Sequence, residues 1–101
     1  MPDYLFLMHD DITDLGDEGS SDDWGPYIAR LQMSGNFQGG SVIGAGVCAR
    51  KSGAVPAITG HLVGFIRVGA DNLEHARTLL VGNPVFEAGG TVEIRELPRT
   101  D

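Results

Sequence analysis

A single α+β domain in the order β-α-β-β-α-β is predicted by three features of the chain. Strand-like stretches fall at residues 4–8, 37–50, 61–68 and 91–97. Apolar residues recur at helical spacing in two places, around 24–31 and 73–80, where Trp24, Ile28 and Leu31, then Leu73, Ala76 and Leu80, each form one stripe. Gly and Pro punctuate the boundaries between these segments. The 101 residues allow one domain, spanning 1–101, with one modest core.

The first strand, Tyr4-Leu5-Phe6-Leu7-Met8, is apolar on both faces. An open antiparallel sheet ordinarily has one wet face, so the second apolar face is expected to meet another subunit or line a cavity. From Asp10 to Asp23 the chain is acidic, rich in Gly, Ser and Asp, and without period, which reads as a mobile loop. Asp23 is the expected N-cap of the first helix, with Pro26 in its first turn, and Gly35 is its stop. The Gly-rich stretch 37–50 reads as a strand interrupted by a bulge near Gly44 or Gly46. Lys51-Ser52-Gly53 makes a turn, followed by an irregular segment around Pro56. In the strand 61–68, Leu62, Gly64, Ile66 and Val68 point one way and His61, Val63, Phe65 and Arg67 the other. Asp71 or Asn72 caps the second helix. Gly82 stops it, and Pro84 prevents its continuation. Gly89-Gly90 turns the chain into the last strand, where Val92 and Ile94 oppose Thr91, Glu93 and Arg95.

This order is the ferredoxin-like split arrangement. Right-handed crossovers put both helices on one face of the sheet. The other face, with Val63, Phe65 and one side of the first strand, is then uncovered, and pairing it with a copy of itself predicts a homodimer with a barrel-like α/β assembly.

Composition narrows the function. The net charge of −7 speaks against a nucleic-acid partner. No apolar run approaches the ~20 residues that span a bilayer, and the start Met1-Pro2-Asp3-Tyr4 lacks the basic opening of a signal peptide, so a cytoplasmic protein is expected. No metal or cofactor is expected. His9, Asp10 and Asp11 are sequence neighbours that a strand would turn to opposite faces, and the acidic run lacks the calcium-loop pattern. The lone Cys48 reads as a small apolar residue, and Gly39-Gly40 and Gly44-x-Gly46 lack the strand-to-helix setting of a phosphate loop.

Several stretches carry a family resemblance. They are the apolar opening strand with its polar end, the helix with Trp24, Leu31 and Gly35, and Gly64-Phe65 followed by Asp71-Asn72-Leu73-Glu74-His75-Ala76. The most specific is Asn83-Pro84 through Gly89-Gly90-Thr91-Val92-Glu93. Together they resemble the YCII-related family, which includes the DGPF-domain proteins. The resemblance implies a dimeric ferredoxin-like protein, in a group where a few members are small-molecule enzymes. The DGPF tetrapeptide is absent, its region being Lys51-Ser52-Gly53-Ala54-Val55-Pro56. The helix histidine of the YciI-like branch, implied to pair with an aspartate, falls at Trp24, so that dyad does not carry over.

The strand phases bring one set of candidates to the uncovered face. His61, Arg67, Glu93 and Arg95 would surround Phe65, with His9 at the rim and Trp24 as a further apolar wall. Arg67 and Arg95 suit a carboxylate, and His61 or His9 suits proton transfer. Arg67, Glu93 and Arg95 equally suit cross-strand ion pairs, His61 a strand-end role and His75 a solvated helix position. The function expected is binding, with conversion as a further step, of a small organic acid or aromatic compound in a cavity at the dimer interface. The alternative is a non-catalytic structural or regulatory interaction module.

Overall fold

The computed structural model describes residues 1–12 and 21–99. Its elements are β1 (Asp3–His9), α1 (Ser21–Ser34), β2 (Phe37–Val42), β3 (Leu62–Gly69), α2 (Leu73–Thr78), α3 (Pro84–Glu87) and β4 (Val92–Leu97). The four strands form one antiparallel sheet in the order β2-β3-β1-β4. This is an α+β arrangement consistent with the ferredoxin-like expectation, with a third, short helix added. Most of the acidic run expected to be a loop lies outside the described residues.

Strand alternation divides the sheet cleanly. Tyr4, Phe6 and Met8 of β1 pair across to Val68, Ile66 and Gly64 of β3 and to Glu96, Ile94 and Val92 of β4. The β1 residues of this set are buried, as are Ile66 and Val68, and they meet Tyr27 and Leu31 of α1, Ala76 of α2, Leu80 and Val85 in one core. The helices therefore lie on this face. Leu5, Leu7 and His9 share the opposite face with Phe65, Arg67, Glu93 and Arg95. No helix covers that face among the described residues; Leu5, Leu7 and Phe65 on it are only half-buried.

Four local expectations are corrected. First, α1 begins at Ser21, so Asp23 is inside the helix rather than its cap, and Pro26 interrupts it beyond the first turn. Pro26 has no N–H to complete the helical bond there. The C-terminal end is as expected: Gly35, at φ +81°, lets Asn36 N–H reach back 3.2 Å to Leu31 O. Second, β2 stops at Val42 instead of continuing toward Arg50, and its irregularity falls between Phe37 and Gly39, with Gly39 at φ +131°. A Cβ on the next residue, Gly40, would stand 2.6 Å from Phe65 O, so positive φ accounts for Gly39 and close strand approach for Gly40. Third, Leu73 is half exposed; Ala76 is the buried residue of α2, and Leu80, buried as well, lies beyond the helix end. Fourth, Pro84 starts a helix instead of only ending one. Asn83 Oδ1 accepts from Val85 N at 3.0 Å and Phe86 N at 3.1 Å, and Pro84 takes the position where a missing N–H costs nothing.

Candidate functional site

Two features stand near the C-terminal end of β1: an apolar hollow on the helix side and a polar cluster on the open face. The hollow has a volume of about 410 Å³. Its floor is Met8, Gly64 and Ile66, and the absent side chain of Gly64 leaves the room; a Cβ there would lie 3.3 Å from Met8 Cε. Trp24 and Ile28 form its wall, four residues apart and so on one helical face. Trp24 also packs edge-on against Tyr27, with ring centroids 6.1 Å apart. Tyr27 is held in turn by donating to Leu79 O at 2.8 Å, which ties α1 to the end of α2. Ile12 and Val85 contribute further apolar lining, and Ser41, Val42, Val63 and Phe65 lie along the β2–β3 side.

The polar cluster is built by register. Leu7 opposes Glu93 and Leu5 opposes Arg95, so Glu93 lies diagonally beneath His9. His9 Nε2 is 3.0 Å from Glu93 Oε1, and Arg95 Nη1 donates to Glu93 Oε2 at 3.2 Å. The bond to His9, then that to Arg95, holds the Glu93 carboxyl below the usual range. The His61 ring meets the His9 ring edge-on at 4.8 Å, and Asp10 N donates to His61 O at 2.7 Å. Asp11 closes the end of the cluster by accepting from Thr91 N at 2.8 Å and Thr91 Oγ1 at 2.7 Å, which lowers its pKa. A histidine held by a carboxylate in this way has a fixed ring orientation and can accept or donate a proton at its free nitrogen.

The sequence candidates thus separate into three places. His9, His61, Glu93 and Arg95 come together. Phe65 stands between the cluster and the hollow, opposite Leu7 in the register while also lining the hollow. Trp24 is on the helix side, so it walls the hollow and does not share a face with the charged residues.

Arg67 lies at the far end of β1. Its Nη2 donates to Asp3 Oδ2 at 3.1 Å and its Nε to Gln38 Oε1 at 2.9 Å. Asp3 also accepts from Gln38 Nε2 at 2.8 Å and Arg99 Nε at 3.3 Å. These bonds, Gln38 first and Arg99 next, lower the Asp3 pKa to about 2. Arg67 is therefore part of an anchor joining both chain ends to the sheet. His75 sits apart on α2, where its Nδ1 accepts from Asp71 N at 2.9 Å.

Sequence reasoning missed the hollow residues Met8, Ile28 and Val85; Asp10 or Asp11 was expected to orient the His9 ring, but Glu93 bonds it and Asp11 bonds Thr91. The i, i+4 spacing of Trp24 and Ile28 was the available signal for the wall. Among the described residues, no group of three or more His, Cys, Asp and Glu side chains is arranged to hold a metal ion.

No protein-family model matches the chain, and no curated protein matches it in sequence. In structure the chain is similar to 5-chloro-2-hydroxyhydroquinone dehydrochlorinase (TftG) from Burkholderia phenoliruptrix AC1100, solved as a complex with 2,5-dihydroxybenzoquinone. The two share 16% identity at a TM-score of 0.59, over 97% of this chain and 95% of that one. The likeness shows the fold. No helix among the described residues is long and apolar enough to cross a membrane.

Proposed function

We propose that this chain is a YCII-related protein that binds a small, uncharged hydroxyaromatic compound in the hollow between α1 and the sheet. The observation that carries this reading is the open, almost wholly apolar hollow walled by Trp24. Pockets of this size with few polar groups at one end suit small planar ligands. Met8 lines the hollow from the helix side, whereas its neighbour His9 faces the open side with Glu93, so the histidine pair stands across the sheet from the hollow. The structural neighbour, of the same fold, was solved with 2,5-dihydroxybenzoquinone, a planar six-membered ring of similar size.

The organic acid of the sequence expectation is the less favoured ligand. Arg67 and Arg95, the two cations meant to hold it, already face Asp3 and Glu93. A ligand carboxylate would compete with those partners. A neutral phenol brings no carboxylate to be paired. In the homodimer we propose for this cytoplasmic protein, the open sheet faces pack together, which would bury the histidine cluster and leave the hollow on the helix side. The Glu93–Arg95 pair is what the alternative reading, a purely structural dimer surface, also requires; the unfilled hollow is what that reading lacks.

Calorimetric titration with hydroquinone and with 2,5-dihydroxybenzoquinone tests the proposal. Wild-type protein is expected to bind at least one of them saturably. Ile28→Trp, which fills the hollow from the helix side, is expected to weaken that binding by about tenfold or more, a little over 1.4 kcal/mol. Absence of binding to wild type, or equal binding to Ile28→Trp, would contradict it.

A further inference from the structure

The connection between β2 and β3 is the least economical part of the molecule. Residues 44–60 form no helix or strand and make no backbone–backbone hydrogen bond among the described residues. Apart from half-buried Cys48, every one of them is exposed. Irregular connections of this length are uncommon in a compact domain unless they serve a purpose. This one is not a polar linker: Val47 is 89% exposed, and Val55 and Ile58 are about half exposed.

Its two limbs run side by side, since a Cβ on Gly46 would touch Ile58 Cδ1 at 3.5 Å, and Arg50 Nη1 donates to Ala54 O near the tip. The segment is therefore a projecting arm. Its projection shows in the radius of gyration, 15.1 Å, against about 13 Å for a compact chain of this length.

We propose that this arm is a clasp that closes on a second copy of the chain. Charge supports that occupant. Arg50 and Lys51 are the arm's charged residues, and it has no acid. With a net charge of −7 for the whole chain and +2 on the arm, the remainder carries −9. Each arm is thus complementary to the body of another copy. A second copy would also cover the arm's exposed valine and isoleucine side chains and offer partners to its backbone groups, which make no backbone–backbone hydrogen bond among the described residues.

The arm leads directly into His61, which touches His9. Clasping would hold the root of the arm and with it half of the histidine pair, so the site would depend on the second copy. This inference rests on the homodimer reading given above and adds to it the element that makes the contact.

Three proteins measured by analytical ultracentrifugation test it. They are wild type, a variant with 44–60 replaced by a two-residue Asn-Gly turn, and the full-length Val47→Asp, Arg50→Glu, Lys51→Glu variant, whose changes are all on exposed positions. Wild type is expected to be dimeric, and both variants are expected to dissociate at least about tenfold more readily, as steered, complementary interfaces do when charges are reversed.

Ser52→Cys in a Cys48→Ser background, carrying a photo-crosslinker in a mixture of light and heavy nitrogen-labelled chains, is expected to give mixed-isotope products. A dimeric wild type whose variants dimerise equally well, or crosslinks only within one chain, would overturn the clasp and leave the dimer standing. A monomeric wild type would overturn both.

Discussion

At the residue scale, each end of β1 carries a carboxylate-centred cluster of a different kind. At the His9 end, Glu93 Oε1 lies 3.0 Å from His9 Nε2 and so orients an imidazole. At the Asp3 end, the carboxylate is enclosed by Gln38, Arg67 and Arg99, while Arg99 Nη2 also reaches Met1 O at 3.0 Å. That is anchoring. Because its folded pKa of about 2 lies below the ordinary 3.8, the Asp3 contribution is fully present above about pH 4 and is lost as the pH falls toward 2. Wild-type thermal stability is therefore expected to decline more steeply than that of Asp3→Asn across this window. The variant should be the less stable protein at neutral pH and approach wild type in acid. Parallel curves for the two proteins would show that the anchor contributes nothing.

The alternation of Val92 and Ile94 with Glu93 and Arg95 made one half of these residues legible in sequence. The Asp3–Arg99 contact was not, because it joins residues far apart in the chain and depends on the register of strands at both ends. Arg67 was assigned to a ligand for the same reason. Its face could be deduced from period two, but its position along β1 required the pairing of Leu5 with Arg67.

At the element scale, what the chain states locally is what folds as expected. Gly35 takes positive φ and ends α1, and Asn72 caps α2 by accepting from His75 N at 2.8 Å, although α2 stops at Thr78, with Leu79 as its cap, before the expected stop at Gly82. The misread elements are those where one residue serves two uses. Pro84 reads in sequence as a helix breaker, but it begins α3, and that use is visible only through the side chain of Asn83, fully buried and capping α3. Asn83→Ala is expected to lower stability by about 1–2 kcal/mol, the usual range for losing such a cap. Denaturant unfolding monitored by circular dichroism would measure it. Asn83→Asp, which keeps the acceptor, should retain part of the loss-free state, whereas an effect of Ala no larger than that of a surface substitution would remove α3 from the stability argument. The early stop of β2 was likewise hidden, since Val42, Ile43 and Val47 continue a strand-like composition into a segment with no partner strand.

For the whole molecule, the sheet has one face filled and one face open, and the chain is arranged around that asymmetry. The helix side builds the core and, where Gly64 lacks a side chain, the hollow. The open side carries the histidine pair and half-buried leucines, and the arm projects beyond the body. The fold class and the uncovered face were readable from element order and handedness. The hollow was not, because it arises from the meeting of a missing side chain on β3 with Trp24 and Ile28 on α1, neither of which implies a cavity alone.

The central claim, that this hollow receives a small aromatic molecule, has a built-in reporter: Trp24 is the only tryptophan in the chain. Its indole N–H gives a single cross-peak in a nitrogen–proton correlation spectrum, and titration with hydroquinone is the measurement to make. A saturable shift of that peak, abolished or strongly reduced in Ile28→Trp at the Trp24 resonance, is the predicted result. A Trp24 peak that stays in place while hydroquinone is raised to millimolar concentration would contradict the account.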